Sequence, residues 1–175
     1  RDLLDFCRQG ASELGVLERC RFVEASADDL ADIEDCSVDV VTTRSVLIYV
    51  ADKRTAFREF ARVLRPGGKI SLFEPINRFG QDSGTLWGFD LSAIPDLVGK
   101  LRAVYEAIQP PATDPMLDFD ERDLLAYAEE AGFHPIGLQL EAEVQPSEPV
   151  DWKSFLERAG NPRIPPIGQV IDEAL

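Results

Sequence analysis

Histidine is almost missing from this 175-residue chain; His134 is the single one. That excludes a multi-histidine metal centre and any chemistry needing two imidazoles. Cysteine is also scarce. Cys7, Cys20 and Cys36 are odd in number, widely spaced and form no C-x-x-C pair, which disfavours a disulfide framework or a zinc knuckle and points to a reducing cytoplasm. Long apolar runs are lacking. The longest, Val46 to Ala51, is strand-sized and well short of the ~20 residues that cross a bilayer. Positive charge is in short supply as well: 18 Lys and Arg stand against 32 Asp and Glu, a net charge of −14. Such a surface repels phosphate backbones and anionic lipid headgroups, so the expectation is no nucleic-acid partner and no membrane. There are no repeats or low-complexity tracts. With hydrophobic residues at 45%, the chain is expected to pack a globular core of single-domain size.

The patterning is α/β. Residues 2–14 carry apolar positions at helical spacing (Leu4, Cys7, Ala11, Leu14) and stop at Gly15. Arg21 to Ser26 is a short candidate strand. Val38 to Thr43 is rich in β-branched residues and predicts a strand buried on both faces. Asp52 is placed to cap a helix whose stripe is Phe57, Phe60, Ala61 and Leu64. Pro66 ends that helix, Gly67 and Gly68 supply a turn, and Lys69 to Phe73 follows as a strand. Strand, helix and strand in this order predict an open sheet with crossover connections. Asn77 to Asp90 is rich in Gly, Asp and Ser and bears Phe79, Trp87 and Phe89. A long helix follows, with Ile94, Leu97, Val98, Leu101, Tyr105 and Ile108 on one stripe. Asp120 caps a further helix, Ile136 to Val144 alternates as a strand would, Val150 to Ala159 is a short helix, and Asn161 to Ile167 is irregular. The expected divisions are residues 1–75 as the α/β core, 76–118 as a helical lid or substrate-facing insertion, and 119–175 as a helix-strand part with a tail.

The stretch Arg21 to Pro75 carries Phe-Val-Glu-Ala-Ser-Ala-Asp-Asp-Leu, Ser-Val-Asp-Val-Val, Ser-Val-Leu-Ile-Tyr-Val-Ala-Asp and Arg-Val-Leu-Arg-Pro-Gly-Gly-Lys-Ile-Ser-Leu-Phe-Glu-Pro. It resembles the middle of a class I S-adenosylmethionine-dependent methyltransferase of the small-molecule type, and Ala-Gly-Phe at residues 131–133 fits the same family. The resemblance implies a Rossmann-like sheet with helices on both faces. It implies S-adenosylmethionine as cofactor and a small-molecule methyl acceptor. In such sheets ligands lie at the carboxyl ends of the strands. The resemblance places the adenine near Ser26, Ala27 and Asp28, where Ser26 stands in for the usual Asp; Asp28 either takes over that role or is part of a solvated connector. It places the methionine part of the cofactor near Thr43 and Arg44, with an exposed or substrate-facing Arg44 as the other reading. Tyr49 and Trp87 are candidate substrate contacts, against plain packing. Tyr49, Glu74 and His134 are candidates for a general base by residue type alone. The cysteines read as small core fillers.

The family's glycine-rich G-x-G-x-G turn is not in the chain, nor is the acidic residue that holds the ribose. Arg1 is not an initiator Met, and no closing strand follows Val144. The resemblance therefore implies an incomplete sheet, without its first two strands and its last, in a stretch of a longer enzyme that holds the cofactor poorly by itself. A non-catalytic methyltransferase-like interaction domain and a nicotinamide-dependent oxidoreductase are the rival readings. The latter does not account for Arg-Val-Leu-Arg-Pro-Gly-Gly.

Overall fold

The computed structural model describes residues 2–80, 85–86, 89–143 and 151–174. The chain divides into two compact units, residues 1–74 with 127–134, and residues 75–126 with 135–175.

The first unit opens with helix α1 (Asp2–Glu13). Gly15, at φ +68°, lets the chain turn away from it in a conformation that costs other residues a Cβ clash. The stripe expected on α1 is only partly used: Ala11 is buried, whereas Cys7 and Leu14 are exposed. The centre of the unit is a parallel pair, β1 (Val38–Arg44) and β2 (Leu64–Phe73), joined through helix α2 (Lys53–Val63). The Asp52 carboxylate caps α2 by accepting the Thr55 N–H at 2.9 Å and the Thr55 hydroxyl at 2.8 Å. These bonds favour its ionised form and hold its pKa below the usual carboxylate value, the backbone bond contributing most. Toward the core α2 turns Ala56, Phe57, Phe60 and Val63, all buried. The Phe57 ring lies 5.9 Å from that of Phe60 and 6.1 Å from that of Tyr127, both tilted. Truncating either buried phenylalanine would cost about 3–5 kcal/mol.

Contrary to expectation, Pro66 does not end α2: the helix stops at Val63, and Leu64, expected on its stripe, begins β2. β2 already pairs at Leu64, opposite Val38, and regular register resumes at Val40 opposite Lys69. The irregularity holds Gly67 at φ +82°. At Gly68 an added Cβ would lie 2.9 Å from the Arg65 carbonyl oxygen and 3.1 Å from that of Asp39. Asp39, at the start of β1, has a structural part here: its carboxylate takes both bonds from one Arg65 nitrogen at 2.8 Å.

Four expectations need correction. β1 is not buried on both faces; Val40 is 56% exposed and Phe73 on the partner strand 62%, because the described residues bring only two strands together in this sheet. Arg21 to Ser26 is not a strand, apart from one isolated bridge between Ser26 and Asp29, and residues 136–143 are irregular with Leu138 and Leu140 exposed. A strand exists only through a neighbour that takes its amides and carbonyls, and no described segment pairs with either. The cysteines are all exposed, so they do not fill a core.

The second unit contains a four-residue antiparallel ribbon, β3 (Thr85–Leu86) with β4 (Phe89–Asp90), within the stretch expected to be a helical lid or substrate-facing insertion. Helix α3 (Pro95–Ile108) buries Val98, Leu101 and Tyr105, while Ile94, Leu97 and Ile108 at the rim of the expected stripe are exposed. Leu101 and Tyr105 pack with Val170 of α6 (Ile167–Ala174), a helix the sequence pattern did not predict. The Tyr105 hydroxyl donates to the Pro165 carbonyl at 3.1 Å. Helix α4 (Glu121–Glu130) starts with a reciprocal cap: Asp120 accepts the Arg122 N–H at 2.9 Å and Asp123 accepts the Asp120 N–H at 2.9 Å. Helix α5 (Trp152–Leu156), shorter than expected, is capped by Asp151. No helix among the described residues is long and apolar enough to cross a membrane.

Candidate functional site

The carboxyl ends of β1 and β2 are adjacent, with Thr43 opposite Leu72 and Arg44 opposite Phe73. Glu74, the next residue on the β2 side, is half-buried and its carboxylate gathers the segment leaving β1. It accepts the Thr43 hydroxyl at 2.8 Å, the Val46 N–H at 3.1 Å and the Ile48 N–H at 3.4 Å. The segment can curl back to it because Ser45 takes a left-handed backbone, φ +54°, uncommon for a residue with a Cβ. The Ser45 N–H is held by the Phe73 carbonyl at 2.8 Å. Beyond Ser45, Leu47 and Ile48 are buried in a 3-10 turn (Leu47–Tyr49), which leaves Tyr49 half-buried at its end. Lys53, also buried, donates from Nζ to the Val50 carbonyl at 2.9 Å and fixes the way into α2.

Arg44 is exposed, with its guanidinium carbon 5.6 Å from the centre of the Phe73 ring. It forms no ion pair with any described residue, unlike Arg8, Arg54, Arg62, Arg65 and Arg78. An arginine steadied on a ring and left without a counter-ion can receive an anionic group from a ligand.

Ser26, Ala27 and Asp28 lie in a turn on a separate part of the same unit. The Ser26 hydroxyl donates to the Asp28 carboxylate, and the Asp29 N–H to the Ser26 carbonyl at 3.0 Å. The amides of Ala27 and Asp28 donate to no described residue. An open hollow of ≈ 540 Å³ is lined by Glu24, Ala25, Ser26, Asp29, Ala31 and Asp32. Thr43 and Arg44 are not among the residues lining it. Trp87 lies outside the described residues. His134 is exposed, next to the Gly132 turn that ends α4.

What the sequence reading missed is how the Ser26–Asp35 connector is held. Arg62 of α2 donates to the carbonyls of Leu30 and Ile33 at 2.8 and 2.9 Å, to Asp35 at 2.5 Å and to Glu59 at 2.8 Å. Glu59 in turn accepts the Leu30 N–H at 2.8 Å. Hydrogen bonding from Arg62 is the main reason the Glu59 pKa is lowered, with burial opposing it, and the Glu59 bond is the main reason the Arg62 pKa is raised. The legible signal was the Glu-x-x-Arg spacing on α2, one helical turn apart, beside an acidic loop with unpaired backbone groups.

Residues 1–72 match a family described as a methyltransferase domain. This stretch is similar to class I S-adenosylmethionine-dependent methyltransferases. The methyltransferase match ends one residue before Phe73 and so takes in β1, α2 and nearly all of β2. Named relatives agree. A tRNA 5-carboxymethoxyuridine methyltransferase of Escherichia coli (strain K12) is 36% identical over 70 residues, 40% of this chain and 27% of the relative. A ubiquinone/menaquinone biosynthesis C-methyltransferase, UbiE, of Hahella chejuensis is 33% identical over 134 residues, 74% of this chain and 52% of the relative. The human thiol S-methyltransferase TMT1B is 37% identical over 71 residues, 41% of this chain and 29% of the relative. The matched part of the chain thus spans between about a quarter and about half the length of these curated relatives. The mixed α/β structure with its small parallel sheet fits the Rossmann-like fold of this methyltransferase family.

Proposed function

We propose that the whole protein transfers a methyl group from S-adenosylmethionine to a small-molecule acceptor, and that β1 and β2 belong to a doubly wound sheet with helices on both faces. The observation that carries this reading is the pair of adjacent strand ends, with Glu74 holding the Thr43–Tyr49 segment and an unpaired Arg44 beside it, inside the stretch matched to the family. S-adenosylmethionine would supply a methyl already activated on its sulfonium, which leaves the protein positioning, desolvation and orientation. The residues present fit parts of that cofactor. The unengaged amides of Ala27 and Asp28 suit an adenine ring nitrogen and the Ser26–Asp28 pair its amino group. Arg44, beside Thr43, suits the amino-acid carboxylate. Tyr49 is assigned to the acceptor side.

A small molecule is the proposed acceptor because a chain of net charge −14 has little to offer an RNA backbone and because the quinone and thiol methyltransferases are among its named relatives. The tRNA methyltransferase relative favours RNA as the second reading. Cytoplasmic residence is part of the proposal and rests on three exposed free cysteines. Calorimetric titration of the full-length protein with S-adenosylhomocysteine tests the reading. Saturable single-site binding, weakened by Arg44→Ala, is expected. A full-length protein that does not bind it is what a non-catalytic interaction domain would give.

A further inference from the structure

We propose that Glu74 is a positioning residue for the cofactor and acceptor mouth and takes no proton in the reaction; this rests on the methyltransferase reading above. A general base needs a lone pair aimed at the acceptor. Three of the four lone-pair positions of Glu74 are engaged by its own segment: Oε1 accepts the Thr43 hydroxyl at 2.8 Å and the Val46 N–H at 3.1 Å, and Oε2 lies 3.4 Å from the Ile48 N–H. The three donors come from one segment of seven residues, and all of it leaves the end of β1. Without an acceptor there, the Ile48 amide would be left unmet in a turn where Leu47 and Ile48 are buried, and an unmet amide is costly in such surroundings.

The carboxylate therefore does for this segment what a backbone ladder does inside a sheet. It fixes the left-handed turn at Ser45, and through it the place of Arg44 before the turn and Tyr49 after it. Register adds to this. Arg44 is level with Phe73, so Glu74 stands one residue beyond the paired ends, where it reaches across to β1. A glutamine at 74 keeps one carbonyl oxygen for Thr43 and Val46 and gives up only the longest bond. An alanine gives up all three.

The test compares wild type, E74Q, E74A and T43V of the full-length protein by two readouts, amide hydrogen exchange at Val46 and Ile48 and calorimetric titration with S-adenosylhomocysteine. In E74A both amides should exchange at least tenfold faster, the ratio that accompanies loss of a single charge-assisted bond, and binding should weaken about tenfold. E74Q should restore protection at Val46 and binding to within about threefold of wild type. T43V, which removes one of the three donors and leaves the Glu74 carboxylate in place, should fall between them and carries the comparison if E74A does not fold. Binding and exchange unchanged in E74A overturn the proposal. So does E74Q as impaired as E74A, since that would make the negative charge, and not its hydrogen bonds, the working feature. Wild-type protein that fails to bind S-adenosylhomocysteine instead overturns the methyltransferase reading, a result the exchange data do not mimic.

Discussion

Adding one methyl group at Gly68 tests whether the Pro-Gly-Gly phrase sets the approach of the two strands. In Gly68→Ala the new Cβ would meet the Leu64 Cδ2 at 2.8 Å, the Arg65 carbonyl oxygen at 2.9 Å and the Asp39 carbonyl oxygen at 3.1 Å. The first can be relieved by a rotamer change. The second and third cannot, because both are backbone and Asp39 belongs to the opposite strand. The strands must part by a few tenths of an ångström, and overpacking of this kind costs ~1–3 kcal/mol. At the neighbouring Gly67 the problem is different: an added Cβ meets nothing within 4 Å, but φ is +82°, so Gly67→Ala costs ~1–2 kcal/mol in backbone strain and Gly67→Asn less. Urea unfolding followed by circular dichroism separates the two. For a slope of ~2 kcal/mol per molar, Gly68→Ala should lower the midpoint by ~1 M at unchanged slope, and Gly68→Val should lower it further. Adding Leu64→Ala should not restore it, since the carbonyl contacts remain. A Gly68→Ala protein with the wild-type midpoint, or one rescued by trimming Leu64, would refute the reasoning.

Replacing Arg62 by Ala removes the donors to Leu30, Ile33, Asp35 and Glu59; limited proteolysis should cut within residues 28–35 severalfold faster, and Arg62→Lys should not rescue because an ammonium cannot span that many acceptors. Acid should loosen the same clamp. The Glu59 pKa is depressed below its ordinary value of 4.5, so the unfolded state binds more protons in that window, and the stabilisation, complete above pH 4.5, is lost as the pH falls through the folded value; a Glu59→Gln variant should show a flatter fall in melting temperature over that range. At the alkaline end burial pushes the Tyr105 hydroxyl up to about 12 from 10.0. Here the unfolded state loses its proton first, so stability declines as the pH rises from 10 toward 12, and absorbance titration should find one tyrosine that ionises late; Tyr105→Phe should remove that step.

How far the sequence could be read depended on whether an element's partners are near it in the chain. Within the β1–α2–β2 unit the Asp52 cap and the phenylalanine stripe were legible, because each acts over a few residues, whereas β2 begins at Leu64, five residues before the expected Lys69, because its first pairing is with Val38 on the other strand. The segments at 21–26 and 136–144 have the composition of strands, but a strand is settled by its neighbour, and pattern carries no information on that. Ile167 and Val170 are fully buried in a helix that follows a proline-rich stretch, whose composition masked it. At the candidate site, Thr43, Arg44 and Tyr49 were singled out from their place at and just beyond a strand end, and their roles are part of the proposal. Glu74 was visible only as a residue of suitable type, because its role depends on three donors 26 to 31 residues away in sequence.

The slack between the strands has an evolutionary side. From Val38 to Val40 is two steps along β1, while the matching span on β2, Leu64 to Lys69, is five. Surplus chain is looped out at the far end of the ladder from Glu74, and beside Gly67 it has open space. Insertions or deletions between Pro66 and Gly67 would be swallowed there, leaving the opposite end in frame. A short epitope spliced at that point offers a handle for labelling the protein away from the proposed site, and gives the gene a place to vary in length.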